Sequence, residues 1–188
     1  MTALALSHLT LIRHAMPQVD ADMPPHRWQL GAEGRAAAAA LRTAVPDPAY
    51  LVASDEPKAV ETMRELAGLR DIPMDPGFAE VRRRRFWTTD EEYRDLARSY
   101  LDGAEHPAWE AHQAVVDRFE AALARNTARA AGAGRALVVG THGMAMTLWL
   151  ASRKLIEPAN TAFWESLRFP DLIDVDLDAG SATIRRMV

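Results

Sequence analysis

Residues 9–15 read LTLIRHA, and the fold turns on how this stretch is read. Its first four residues are apolar and partly β-branched, with no polar alternation. That is the pattern of a short strand buried on both faces. The apolar run stops at Arg13 and His14. Two further stretches behave the same way. YLVA at 50–53 runs into Ser54, Asp55 and Lys58, and ALVV at 136–139 runs into Thr141, His142 and Gly143. In open α/β sheets ligands bind just beyond the carboxyl ends of the strands. Three buried strands that end on polar side chains therefore point to one shared rim.

The segments between these strands read as helices. Residues 31–45 are alanine-rich until Pro46 and Pro48 stop them. Ser54 or Asp55 is suited to cap the next helix, with Pro57 in its first turn. Residues 72–81 hold two prolines and a glycine and predict a loop or short edge strand. The pattern predicts helices over 90–101 and 144–155. A longer one is predicted over 107–131, with Trp109, His112, Val116, Phe119 and Leu123 on one stripe. Alternation at 172–177 and 182–186 predicts edge or antiparallel strands. The expectation is one α/β domain over 1–188, a three-layer sandwich with a mostly parallel central sheet.

Composition narrows the function. The chain has 188 residues, 48% apolar and 26% charged, with net charge −4 and no cysteine. Disulfides, thiolate metal sites and cysteine nucleophiles are excluded. An acidic chain lacks the basic footprint of a nucleic-acid binder. No apolar run approaches the roughly 18 residues of a membrane helix. The apolar N-terminus has no leading positive charge and reads as a strand rather than a secretion signal, so a cytoplasmic protein with no membrane partner is expected. Oligomeric state is left open.

The rim residues are two histidines, an arginine and a lysine, a set suited to a dianionic phosphoryl group. Arginine offers a planar fork that matches phosphate oxygens. The helix after Gly143 would add free backbone N–H groups at its positive end. A neutral histidine can attack phosphorus without a separate base. Lys58 opposes the dipole at the start of its helix, which marks it for function. It reads equally well as a surface lysine paired one turn on. His26 follows His14 in the long loop and is in reach of the rim. His112 reads as packing. Glu80 is placed to protonate a leaving oxygen, or else to pair with the arginines after it. The basic run at 82–85 (RRRR) would recruit a second anionic group, but a solvated loop paired with Asp90, Glu91 and Glu92 is the preferred reading. Phe86 and Trp87 would cover the site or pack beneath the loop.

These residues resemble the histidine phosphatase superfamily, the phosphoglycerate mutase-like fold, and its smaller branch in particular. LIRHA is similar to the family's Arg-His-Gly signature. LGAEGRAA at 30–37 resembles the core of the helix that follows. ASDEPKAVETM at 53–63 resembles Ser-x-x-x-Arg-Ala-x-x-Thr-Ala, and LVVGTHG at 137–143 resembles Ser-His-Gly. The four motifs stand in the family's order. The resemblance implies a metal-independent phosphatase that hydrolyses a phosphomonoester, on a small molecule or a phosphoprotein, with no cofactor. His14 would form the phosphohistidine. Arg13, Lys58, His142 and Gly143 would bind the phosphoryl oxygens, and Gln18 would add a polar contact. Glu80 would protonate the leaving group and then assist water. Two positions depart from the pattern: Ala15 replaces glycine and Lys58 replaces arginine. The alternatives are a phosphoglycerate mutase-type phosphotransferase and a non-catalytic phosphate-binding member. AMPQVD at 15–20 stands where mutases carry an acidic, asparagine-bearing segment and lowers the mutase reading. A metal hydrolase built on His14, His142 and Glu80 is opposed by the adjacent cations.

Overall fold

The computed structural model describes residues 7–84, 89–156 and 160–186. Five strands form one sheet: β1 (His8–Arg13), β2 (Ala49–Ala53), β3 (Ala136–Thr141), β4 (Asp171–Asp176) and β5 (Ser181–Arg185). Their order is β2-β3-β1-β4-β5. The pairs β1–β3 and β2–β3 are parallel, and β4 runs antiparallel to both β1 and β5. Only β4 therefore opposes the other strands. The expected α/β sandwich with a mostly parallel sheet is what forms, and both predicted C-terminal strands pair as expected.

Successive side chains of a strand point to opposite faces, and the sheet is apolar on both. Ile12, Val138 and Ala53 meet Met63 and Leu66 on one face. Those partners belong to α2 (Pro57–Leu66), which packs beside α1 (Ala32–Ala40). Leu11, Val139 and Val52 face the larger cluster around Phe119, Trp149 and Tyr100 on the other face. There lie α3 (Asp90–Leu101), α4 (His112–Gly132), α5 (Gly143–Ser152) and α6 (Asn160–Ser166). Helix α5 is apolar all round because it is enclosed, with Met144 through Leu150 all buried.

Three local expectations shift. The helix expected over 107–131 begins at His112, and Trp109 sits before it, in an isolated antiparallel bridge to Arg83. Its buried stripe is Val115, Phe119, Ala122, Leu123, Asn126 and Ala130. The ring of His112 packs on Tyr100, and its Nε2 lies 2.7 Å from the Tyr100 carbonyl, so it packs as read. Glu56, not Ser54 or Asp55, is the N-cap residue of α2. The first helix gives way to a 3-10 turn at Leu41–Thr43.

The loop between α2 and α3 delivers Glu80 to the strand ends. Asp75 donates its N–H to the Ala53 carbonyl at 2.8 Å, fixing the loop to the end of β2. Arg118 of α4 then donates to the carbonyls of Gly77, Ala79 and Glu80. Thr141 Oγ1 donates to the Phe78 carbonyl at 2.8 Å. No helix among the described residues is long and apolar enough to cross a membrane.

Candidate active site

Arg13, His14, Lys58, Glu80 and Gly143 line one cleft of about 520 Å³ at the carboxyl ends of the parallel strands. His142 lies directly behind it, fully buried, with its ring centroid 5.1 Å from that of His14. Six of the residues singled out from sequence are thus brought together. Gln18 is not among them: its side chain is exposed and outside the lining of the cleft. His26 lines a neighbouring hollow of about 370 Å³ rather than the His14 cleft.

His14 is held at the end of β1, with its N–H donating to the Thr141 carbonyl at 3.0 Å. Its Nδ1 lies 2.8 Å from the Ala15 carbonyl. A carbonyl only accepts, so Nδ1 carries the proton and donates. The neutral ring then keeps its lone pair on Nε2. Burial holds the His14 pKa well below its ordinary value, and His142 and the Lys58 cation add to the effect. His142 is lowered too, by burial first and then by Lys58. Both rings are neutral near pH 7.

His142 Nε2 is 2.8 Å from Ser54 Oγ. Ser54 Oγ already accepts the Glu56 N–H at 3.2 Å, so its own proton is available to Nε2. That assignment leaves Nδ1 as a donor, and Nδ1 is buried without a protein partner among the described residues. Arg13 Nε is likewise buried and unpartnered. Its NH1 donates to the Leu167 carbonyl at 2.8 Å, and its guanidinium lies 3.5 Å from the Phe169 ring centroid. Burial lowers the Arg13 pKa to about 10, which still leaves it charged at neutral pH. Buried donors without partners are costly. Two such donors, on Arg13 and on the ring packed against His14, mark a region that favours an anion.

The two departures from the family pattern resolve differently. Ala15 is fully buried in a small cluster with Leu30 and Ala38. Among the described non-glycine residues only Leu69 and Lys154 have positive φ, so the alanine carries no left-handed strain. Lys58 is not a surface lysine. It is 5% exposed, and its Nζ donates to Glu56 Oε2 at 2.5 Å and to the Pro25 carbonyl at 2.8 Å.

The start of α5 also differs from expectation. Met144 and Ala145 donate their N–H groups to the Glu80 carboxylate, at 3.2 and 2.9 Å. Much of the predicted anion site at this helix end is therefore filled by Glu80 itself. Gly143 sits in a tight space: a Cβ there would lie 3.0 Å from Trp164 Nε1 and 3.2 Å from Arg13 Nε, so those side chains would have to give by a few tenths of an ångström. Of the basic run, Arg83 turns into the cleft, over the Tyr93 ring at 4.9 Å. Arg82 and Arg84 are exposed. Arg85, Phe86 and Trp87 lie outside the described residues.

Sequence reading missed Glu56, Trp164 and Phe169. The two aromatics come from the C-terminal segment, far along the chain, and no local pattern marks them. Glu56 could have been found as a carboxylate two residues before a lysine already in question. Among the described residues no group of three or more His, Asp or Glu side chains is placed to hold a metal ion.

The sequence model of the histidine phosphatase superfamily (branch 1) matches residues 9–186. This chain belongs to the histidine phosphatase superfamily. Solved structures agree on the fold of this superfamily member. Bacillus stearothermophilus YhfR matches with a TM-score of 0.70 at 21% identity, covering 94% of each chain. Mycobacterial glucosyl-3-phosphoglycerate phosphatase Rv2419c matches at 0.69 and 18% identity, covering 95% of this chain and 96% of that one. Phosphoglycerate mutase from Bacillus anthracis matches at 0.64 and 16%, covering 96% and 93%. The fold is phosphoglycerate mutase-like. A search of curated proteins returns no match.

The buried neutral histidines set a pH dependence. A histidine whose folded pKa is depressed takes up its proton more readily when unfolded. Stability therefore falls as pH drops below the ordinary value of 6.5, until the folded pKa is reached. Each ring contributes a slope of up to about 1.4 kcal/mol per pH unit in that window. Denaturant titrations between pH 7 and 5 should show midpoints falling steadily with acid. His142→Gln should remove about half of the histidine slope. A flat profile across this window would contradict the neutral, buried assignment.

Proposed function

We propose that this histidine phosphatase hydrolyses a phosphomonoester through a phosphohistidine on His14, without a metal. The observation that supports this best is the His14 ring, neutral, with Nδ1–H on the Ala15 carbonyl and Nε2 left as the nucleophile. Nε2 attacks phosphorus as the ester P–O bond breaks. The leaving oxygen takes a proton from Glu80. Water then attacks phosphorus, gives its proton to the Glu80 carboxylate, and the N–P bond breaks. Free enzyme and inorganic phosphate result. Arg13, Lys58 and His142 stabilise the charge on the transferring group. Glu80 Oε1 accepts N–H bonds from Val81 and Ala145 at 2.9 Å, whereas Oε2 has only the 3.2 Å contact from Met144. Oε2 is thus the oxygen with room for the catalytic proton.

The substrate is a small phosphomonoester with a further anionic group. Arg98 in the cleft is paired with Glu165 and Asp95. Arg83 and Arg94 line the same cleft and have no carboxylate partner among the described residues. On a chain of net charge −4, unpaired cations in a cleft are a selective feature. The test is steady-state hydrolysis in the presence of a chelator. Comparison covers p-nitrophenyl phosphate and phosphomonoesters that carry a carboxylate or second phosphate. Arg94→Ala should raise KM for the latter roughly fivefold to tenfold and leave p-nitrophenyl phosphate nearly unchanged. Activity lost on chelation would sink the metal-free reading. Equal effects of Arg94→Ala on both substrate types would sink the second-anion reading.

A further inference from the structure

Glu56 is 8% exposed and bonds to two of the residues that line the cleft, Lys58 and Glu80. Its Oε2 accepts from Lys58 Nζ at 2.5 Å. Its Oε1 accepts the backbone N–H of Glu80 at 2.8 Å and lies 3.7 Å from His142 Nε2. One carboxylate therefore ties the start of α2 to the loop that carries Glu80, and it lies beside the β3–α5 junction. It does so next to a site built for an anion, where a negative charge is unfavourable unless it has work to do.

The donors of Lys58 can be counted. A lysine ammonium has three N–H bonds and no acceptor. The Glu56 carboxylate and the Pro25 carbonyl use two of them. One remains, and Lys58 lines the His14 cleft. A free lysine is a flexible point charge without preferred direction. With two bonds fixed on opposite partners, the third is fixed in direction as well. That supplies the orientation lost when lysine stands in the place of arginine.

We propose that Glu56 is a positioning residue for phosphoryl transfer, holding Lys58 so that one N–H meets a phosphoryl oxygen as charge develops. The proposal rests on the phosphohistidine reading of the same cleft. It predicts a difference between two anions. Orthovanadate adopts the five-coordinate geometry of the transferring group, and inorganic phosphate has that of the ground state. A directed N–H favours the first. Loss of the Glu56 charge removes a repulsion felt by both.

The experiment is calorimetric titration of both anions into wild type, Glu56→Gln, Lys58→Met and the double variant. In wild type vanadate should bind more tightly than phosphate. Glu56→Gln should lower the vanadate-to-phosphate affinity ratio at least tenfold, without weakening phosphate itself. Lys58→Met should lower the ratio by a similar factor, and the double variant no further than either single change. The double variant also removes the buried ammonium that Glu56→Gln leaves without its partner, so it reports even where the single variant unfolds. A ratio within twofold of wild type in Glu56→Gln, or losses that multiply in the double variant, would overturn the proposal. A purely structural Glu56 would weaken both anions together, leave the ratio unchanged, and so also overturn it. The readout needs no turnover. Wild type that binds vanadate but hydrolyses no phosphomonoester would count against the phosphatase reading alone.

Discussion

His14→Ala should lower phosphomonoester turnover by at least about 10⁴-fold, the scale of loss seen when a covalent nucleophile is removed. The loss should appear in kcat, with phosphate affinity changed little. Arg13, Lys58 and His142 stay in place, and their donors do not depend on the His14 ring. Two features of the ring lead to this outcome. The Ala15 carbonyl fixes the proton on Nδ1, and burial keeps the ring neutral. No other histidine offers an alternative nucleophile in the cleft. His142 has its Nε2 engaged by Ser54 and sits behind His14 with no exposed surface. Measured kcat within tenfold of wild type would remove His14 from the chemistry.

Arg13→Ala should cost about 10²–10³ in kcat/KM, the effect expected from deleting one preorganised donor to a developing oxyanion. Arg13 has one terminal nitrogen committed to the Leu167 carbonyl and its face against Phe169. Its Nε is buried without a partner among the described residues, although the side chain stays charged at neutral pH. A buried cation with an idle donor is destabilising on its own. The phosphoryl anion proposed above would offset that cost. Arg13→Ala should therefore lose activity while the apo protein loses little stability. The contact with Leu167 is lost, but so is the cost of burying a cation whose desolvation Glu80 and Asp171 offset only in part. Arg13→Lys should recover only part of the rate, because the ammonium has no planar fork. Full recovery by lysine would mean that charge alone matters at this position.

Much of this site could be read from the chain because of how the sheet is buried. Strands covered on both faces leave little room for polar residues. Arg13, His14 and His142 therefore stood out as polar side chains directly after apolar runs. Glu80 was visible only through motif order. What delivers it is a set of long-range bonds: Arg118 of α4 to three loop carbonyls, and Thr141 to Phe78. Such contacts leave no local periodicity. Glu56 was hidden for a different reason. A glutamate before Pro57 reads as an ordinary helix start, and only the fold reveals that its carboxylate is buried between Lys58 and the Glu80 backbone. Two of the N–H groups expected to be free after Gly143 are taken up by the chain's own Glu80 carboxylate. Trp109 was placed on the α4 stripe by spacing alone. Tertiary packing instead set it before the helix, against Tyr100.

The most direct test of the account is to trap the phosphoenzyme. Wild-type protein is mixed with a phosphomonoester, quenched within milliseconds in alkali, and the modified peptide is located by mass spectrometry. The account predicts one phosphoryl group on His14, stable in alkali, lost in acid, and absent from His14→Ala. Rapid turnover with no phosphoenzyme, or a phosphoryl group carried on any other residue, would contradict it.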